Sequence, residues 1–141
     1  MKHQEMKKTI REYMKELGHN PVKHQSKELP RKNTWPDDVF AKGDLKRPGR
    51  RMGNRSGIIV EYKVDDKPLP CLRGVGQLIY YSTLIGIDNV CLVIPEVHLS
   101  KLSLSLQRLP WLNVLTVSED GKVSAIRWTT FPYSMEIFRE Y

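Results

Sequence analysis

The chain has 141 residues, of which 40% are hydrophobic and 28% are charged, and its formal net charge at pH 7 is +7. This length suits a single domain with one core, and the hydrophobic content argues against a wholly disordered chain. We expect no membrane-embedded segment, because no apolar run approaches the roughly 18 residues that a membrane span needs. The charged N-terminus lacks the apolar core of a signal peptide, so an intracellular location is expected.

The first half of the chain is predicted to form one helix and two strands. Apolar residues at helical spacing among charged ones predict an amphipathic helix over about 4–17. Short apolar runs predict strands at 39–41 and 58–64. Between them, a basic segment with several glycines is expected to form a flexible loop over about 42–56.

The second half is predicted to alternate helices and strands. Helices are predicted at 72–85 and 97–109, and strands at 89–94, 113–117 and 122–128. The run 97–109 also alternates like a strand, but its length and its stop at Pro110 favour a helix. The tail over 131–141 is interpreted as a short helix.

This order, α-β-β-α-β-α-β-β, indicates one α/β domain spanning residues 1–141. A strand pair precedes a crossover helix and a continuously apolar strand, a pattern typical of a strand covered on both faces. We therefore predict a central mixed β-sheet flanked by helices.

Glu61 and Lys63 share one face of the predicted strand 58–64, because side chains two residues apart point the same way. Burying a lone carboxylate or ammonium is costly unless the group is paired or bound to an ion. Two explanations fit at this point. One is a structural ion pair at an exposed strand edge, and the other is an ion-binding site.

Asp37 and Asp38 directly precede the neighbouring predicted strand. If the two strands pair, one of these aspartates converges with Glu61, and carboxylate oxygens suit a hard cation such as Mg²⁺. A bound cation lowers the pKa of its water and neutralises charge that develops on a phosphate. Lys63 beside it would position the attacking water or stabilise the transition state.

Pro36-Asp37 followed by Glu61-Tyr62-Lys63 resembles the signature of the PD-(D/E)XK nuclease superfamily, which has the restriction-endonuclease-like fold. That family places an aspartate on one strand and Glu-X-Lys on the next, around a divalent metal. Gln77 and Tyr81 stand four apart on the following predicted helix, and this QxxxY element is similar to that of the RecB-type and phage lambda exonuclease-type branch. The resemblance spans roughly residues 6–117.

The resemblance implies a deoxyribonuclease that hydrolyses DNA phosphodiester bonds with Mg²⁺ or Mn²⁺. The residues that it assigns to catalysis are Asp37, Glu61, Lys63, Gln77 and Tyr81. Those that it assigns to the metal are Asp37 or Asp38, Glu61 and the backbone carbonyl of Tyr62. Family pattern favours Asp37, whereas a strand that begins one residue later favours Asp38. Relatives often add a glutamate from the first helix, for which the candidates are Glu5, Glu12 and Glu16.

The resemblance also bears on other cofactors and on assembly. Iron–sulfur members of the branch carry four cysteines, but this chain has two, Cys71 and Cys91, so we expect no iron–sulfur cluster. Small members of the family often pair, which implies a homodimer. Exonuclease activity and structure-dependent endonuclease activity are both compatible with the motifs.

The basic excess favours a polyanionic partner, with nucleic acid ahead of a membrane surface. The residues expected to contact DNA phosphates are Lys42, Lys46, Arg47, Arg50, Arg51, Arg55 and Arg73, and Lys67 could extend this surface. Such contacts bring sequence-independent affinity that falls with salt. A solvated basic loop is the alternative interpretation.

Two other functions stay open. A protein of the same fold could bind DNA through its basic surface without turnover. Alternatively, a structural or interaction protein could use Glu61 and Lys63 as a plain ion pair, in which case neither Asp37 nor Asp38 should converge with Glu61.

Overall fold

The computed structural model describes residues 1–23, 35–43 and 57–128, and this part of the chain contains three helices and six strands. The helices are α1 (His3–Glu16), α2 (Pro68–Ile85) and α3 (Leu99–Gln107), the last preceded by a 3-10 turn at Glu96–His98. The strands are β1 (Asn20–Pro21), β2 (Asp38–Ala41), β3 (Ile58–Tyr62), β4 (Asn89–Pro95), β5 (Asn113–Val117) and β6 (Val123–Arg127).

The strands form one mixed, open sheet in the order β1-β2-β3-β4-β5-β6. The pairs β3–β4 and β4–β5 are parallel, and the remaining pairs are antiparallel. Parallel neighbours require a crossover connection, and α2 and α3 provide the two crossovers. The chain is therefore an α/β protein with a mixed sheet, as the order of predicted elements indicated. The sheet of the described residues has six strands, one more than predicted, because of the two-residue strand β1.

Helices cover both faces of this sheet. On one face, α1 buries the residues that its helical spacing aligns, which are Met6, Ile10 and Met14. On the other face, α2 and α3 bury their apolar side, including Cys71, Val75, Leu78, Leu102 and Leu106. β4 lies in the middle of the sheet, and its residues alternate between the two cores. Its continuous apolar sequence follows from this double covering.

Several element bounds differ from the sequence-based ones. α2 begins at Pro68, four residues before the predicted start, because a proline at the first helical turn loses no hydrogen bond. β3 ends at Tyr62, although the backbone N–H of Lys63 still donates to the carbonyl of Val93 at 2.9 Å. The ambiguous run 97–109 is helical over most of its length, which confirms the helix interpretation.

Some predictions fall outside the described residues. These are the proposed DNA contacts of Lys46, Arg47, Arg50, Arg51 and Arg55, and the short helix over 131–141. In the described ranges, none of the helices combines the length and apolar character that crossing a bilayer requires.

Candidate active site

The pairing of β2 with β3 brings Asp37 opposite Glu61. Asp38 is the partner of Val60 in this antiparallel pair, so one further step of the same register sets Asp37 against Glu61. Side chains alternate between the faces of a sheet. Glu61 therefore lies on the face covered by α2, while Asp38 and Tyr62 lie on the face covered by α1. Asp37 directly precedes β2, at the edge of the sheet, where it contacts both Glu61 and His3 of α1.

Two hydrogen bonds fix the geometry of this carboxylate pair. The backbone N–H of Asp37 donates to Glu61 Oε1 at 3.1 Å. The backbone N–H of Tyr62 donates to Asp37 Oδ2 at 3.0 Å. Each carboxylate is thus anchored by the opposite strand, and together they form a pair at the end of β3.

The environment of Glu61 disfavours a second negative charge. Its side chain is only 4% exposed. Burial, followed by the nearby Asp37 carboxylate, raises the pKa of Glu61 to about 8, and the ammonium of Lys63 opposes this rise as the weakest influence. Close carboxylates that cannot both ionise comfortably are stabilised by a cation between them, and carboxylate oxygens are the ligands that Mg²⁺ prefers.

Lys63 lies on the same face as the carboxylate pair. Strand alternation directs its side chain toward α2, where it lies against Gly74. Its charge acts on Glu61 and also on Cys71, whose pKa is raised mainly by burial. The ammonium therefore belongs to the electrostatic environment of the pair.

The QxxxY element divides between the interior and the surface. Tyr81 lies on α2 and is buried in the core between this helix and the sheet. Its pKa is raised first by burial and then by the charges of Glu61 and Asp37, so its hydroxyl belongs to the same electrostatic environment. Gln77, one turn earlier on α2, is exposed. Of the two QxxxY side chains, that of Tyr81 alone is buried.

Asp38 has a different set of partners, on the opposite face. It is 4% exposed and accepts a hydrogen bond from the Tyr62 hydroxyl at 2.6 Å. The Arg11 guanidinium on α1 donates to both of its oxygens, with Nη2 at 2.7 Å from Oδ1 and Nε at 3.2 Å from Oδ2. The carboxylate of Asp38 is therefore already paired, and the sheet separates it from Glu61. Of the two aspartates, Asp37 is the one that converges with Glu61.

The backbone and the side chain of Tyr62 have different partners. Its N–H donates to Asp37, and its side chain packs in the core under α1. Its ring is buried under α1, and burial together with Asp38 raises the pKa of its hydroxyl. The side chain of Tyr62 therefore serves packing. Its carbonyl, the predicted extra metal ligand, follows directly after Glu61 in the chain.

His3 joins the site although the sequence analysis did not select it. Its Nε2 lies 3.4 Å from Asp37 Oδ2, and its ring packs edge-on against Tyr62 with centroids 5.5 Å apart. The available signal was its position three residues before Met6, which places it on the buried side of α1. The candidate glutamates Glu5, Glu12 and Glu16 are all exposed on that helix.

Two residues of the predicted basic surface, Lys42 and Arg73, lie in the described part of the chain. Lys42 is exposed and follows the last residue of β2, and the segment 44–56 leads from there to β3. Because β2 and β3 are antiparallel, this connection is attached at the end opposite Asp37 and Glu61, about 13 Å along the strands. The two points of attachment of the segment therefore lie away from the carboxylate pair, and its DNA contacts stay a prediction.

Two basic residues lie on or just before α2. Arg73 is exposed on the first part of α2, directly before Gly74, and Lys67 is exposed just before that helix begins. Arg73 is thus the sequence neighbour of the glycine that Lys63 packs against, and Lys67 lies four residues after Lys63 in the chain.

Within residues 1–23, 35–43 and 57–128, no three or more His, Cys, Asp or Glu side chains are grouped closely enough to hold a metal ion. The side-chain ligands that converge here are thus the two carboxylates of Asp37 and Glu61. This is compatible with an ion that keeps several waters, as Mg²⁺ usually does.

Comparison with protein-family models, with curated proteins and with solved structures finds no match to this chain. A functional assignment therefore depends on the residues and geometry described above.

Proposed function

We propose that this chain is a metal-dependent deoxyribonuclease of the PD-(D/E)XK type, with a restriction-endonuclease-like fold and Mg²⁺ or Mn²⁺ as its cofactor. The observation that carries the proposal is the convergence of Asp37 with Glu61 at the end of β3, with Lys63 on the same face as Glu61. The mixed sheet, with α1 on one side and α2 on the other, supports it further.

In the proposed mechanism, Asp37 and Glu61 would hold the cation, and the Tyr62 carbonyl would be a further ligand. The cation would neutralise charge on the scissile phosphate and lower the pKa of a bound water. Lys63, whose charge acts on Glu61, would orient that water and stabilise the negative charge of the transition state. Tyr81 would place its hydroxyl near the carboxylate pair, whose charges act on it, and Gln77 would contact the substrate from the exposed surface of α2.

The proposed substrate is DNA. The net charge of +7 favours a polyanion, and Lys67 and Arg73 add positive charge on the side of Lys63. A homodimer would bring two such sites to one duplex or branched substrate. The dimer belongs to the proposal and follows from the family resemblance alone.

The convergence of Asp37 with Glu61 also separates the proposal from its structural alternative. A plain Glu61–Lys63 ion pair does not require a second carboxylate. A second carboxylate is present, and it affects the pKa of Glu61 more strongly than Lys63 does. Binding without turnover uses the same surface, and the assay below distinguishes it from catalysis.

The test is cleavage of linear, circular, single-stranded and branched DNA in Mg²⁺, Mn²⁺ or EDTA. Glu61→Ala and Lys63→Ala should each reduce the metal-dependent rate by about 100-fold or more, as expected for the loss of a metal ligand or of a transition-state charge. The matched controls are Glu96→Ala and Lys101→Ala, since both side chains are exposed.

Activity that survives both site substitutions contradicts the site assignment. If a folded preparation binds DNA but cleaves no substrate with either metal, the chain is a binding protein.

A further inference from the structure

The side chain of Lys63 lies directly on the backbone of α2 at Gly74. A β-carbon built at Gly74 would be 2.6 Å from Lys63 Cε, 3.2 Å from Cγ and 3.5 Å from Cδ. Separations below about 3 Å do not occur between such atoms. Any other residue at position 74 would therefore displace the lysine side chain.

This glycine is not explained by backbone conformation. Gly74 lies inside α2 and is not among the glycines with positive φ, which are Gly18, Gly86 and Gly121 in the described part of the chain. Glycine weakens a helix interior relative to alanine. A glycine at a buried helical position therefore indicates a packing constraint. The atoms nearest to its missing β-carbon identify that constraint.

Those nearest atoms all belong to one side chain. The three closest heavy atoms to the missing β-carbon are methylene carbons of Lys63, rather than backbone atoms of the sheet. Gly76, two residues later in the same helix, has nothing within 4 Å of its own missing β-carbon. The two glycines thus lie in the same helix, but Gly74 is buried against Lys63, whereas Gly76 is exposed and faces open space.

We propose that Gly74 is a positioning residue: the absence of a side chain there lets the Lys63 methylenes lie across α2 and holds the ammonium beside the Asp37–Glu61 pair. A lysine side chain has many rotamers in water, and fixing it costs entropy. Packing the methylenes between β3 and the helix backbone provides the apolar contacts that offset this cost. The catalytic consequence of this placement rests on the proposed nuclease function, but the placement itself does not.

The test compares Gly74→Ala with Gly76→Ala, each in the wild-type and in the Lys63→Ala background. Gly76→Ala should raise Tm by a few degrees and leave DNA cleavage unchanged, since it adds a methyl group in open space to a helix. Gly74→Ala should reduce the metal-dependent kcat about tenfold or more, with little change in KM for DNA. It should cause no further loss once Lys63 has been replaced.

A spectroscopic readout does not depend on cleavage. In protein with ¹³C-labelled lysine, the Lys63 ε-methylene signal is assigned by its loss in Lys63→Ala. Gly74→Ala should shift this signal toward the values of exposed lysines, and Gly76→Ala should leave it in place. A wild-type chain without nuclease activity but with this pattern would refute the proposed function and retain the positioning role.

Stability provides a further check if Gly74→Ala folds poorly. Removing the Lys63 side chain makes room for the new methyl group, so the double variant should recover the wild-type fold and regain Tm. A double variant as unstable as Gly74→Ala would show that the backbone, and not Lys63, occupies the space. An unchanged ε-methylene signal together with unchanged kcat in Gly74→Ala would also overturn the proposal.

Discussion

Asp37 and Glu61 hold each other in place across β2 and β3, since the backbone N–H of Asp37 donates to Glu61 Oε1 at 3.1 Å. The same arrangement brings two carboxyl groups together in a buried setting, which raises the pKa of Glu61 to about 8. An arrangement that is well ordered in the backbone is therefore electrostatically unfavourable in its side chains. This combination is common at functional sites, where stability is sacrificed for reactivity or binding.

The first prediction concerns pH and stability in EDTA. The pKa of Glu61 is about 8 in the folded protein and near 4.5 when unperturbed, so unfolding releases a proton between these values. The contribution of Glu61 to the free energy of unfolding should be greatest below pH 4.5. It should fall as the pH rises toward 8. The slope from this group is at most about 1.4 kcal/mol per pH unit.

Urea unfolding between pH 5 and 9 measures this slope. Glu61→Gln removes the titrating group and should flatten the profile, whereas Glu96→Gln, at an exposed position, should leave it unchanged. The prediction is contradicted if the free energy of unfolding of the wild type rises between pH 6 and pH 8 and Glu61→Gln abolishes that rise.

The second prediction separates Asp37 from Asp38. Mg²⁺ or Mn²⁺ should raise Tm by binding the folded state, because a ligand that binds only the folded protein stabilises it. Asp37→Asn should abolish this rise. Asp38→Asn should lower Tm, because it weakens a buried pairing with Arg11, but it should keep the metal-dependent rise.

Differential scanning fluorimetry with a series of metal concentrations measures both effects. Asp65→Asn serves as the control at an exposed carboxylate. The choice of Asp37 is wrong if Asp38→Asn, and not Asp37→Asn, eliminates the metal-dependent rise.

The third prediction concerns the network behind the site. The Tyr62 hydroxyl donates to the buried Asp38 carboxylate at 2.6 Å. Tyr62→Phe should destabilise the protein by about 1.5–3 kcal/mol, the usual contribution of a hydrogen bond to a charged group. Tyr80→Phe is the matched control, since that side chain is 55% exposed, and it should change stability by less than about 0.5 kcal/mol. Denaturant unfolding at pH 7 compares the two variants, and equal losses would argue against the network.

The fourth prediction concerns DNA affinity. Arg73 is exposed next to Gly74 on the side of Lys63, so Arg73→Ala should weaken DNA binding and reduce the salt dependence of log K by about 0.9 for each lost phosphate contact. Arg108→Ala removes an exposed arginine at the end of α3 and should have a smaller effect. Fluorescence anisotropy at several salt concentrations, in EDTA to prevent cleavage, gives both slopes. Identical slopes for the two variants would remove Arg73 from the proposed interface.

Local patterns in the sequence determined most of the fold. The helical spacing of Met6, Ile10 and Met14 predicted the buried side of α1, and the continuous apolar run of β4 predicted a strand between two layers. These signals are visible in sequence because they depend on neighbours a few residues away. The same alternation predicted that Glu61 and Lys63 share a face.

Tertiary structure decided which distant residues meet. The residues alone left both Asp37 and Asp38 as candidate metal ligands, because adjacent residues point to opposite faces of a strand and no local signal says which face α2 covers. It also gave no indication that Arg11 would pair with Asp38. That contact joins residues 27 apart in sequence.

The antiparallel pairing of β2 with β3 then decided where the site lies relative to the basic segment. It brings the start of one strand to the end of the other, which joins Asp37 to Glu61 and attaches the segment 44–56 at the far end. The close approach of Lys63 to Gly74 likewise required the packing of α2 on β3. The sequence by itself determined the kinds of residue and the faces they share, and the register of the sheet and the packing of the helices determined which of them act together.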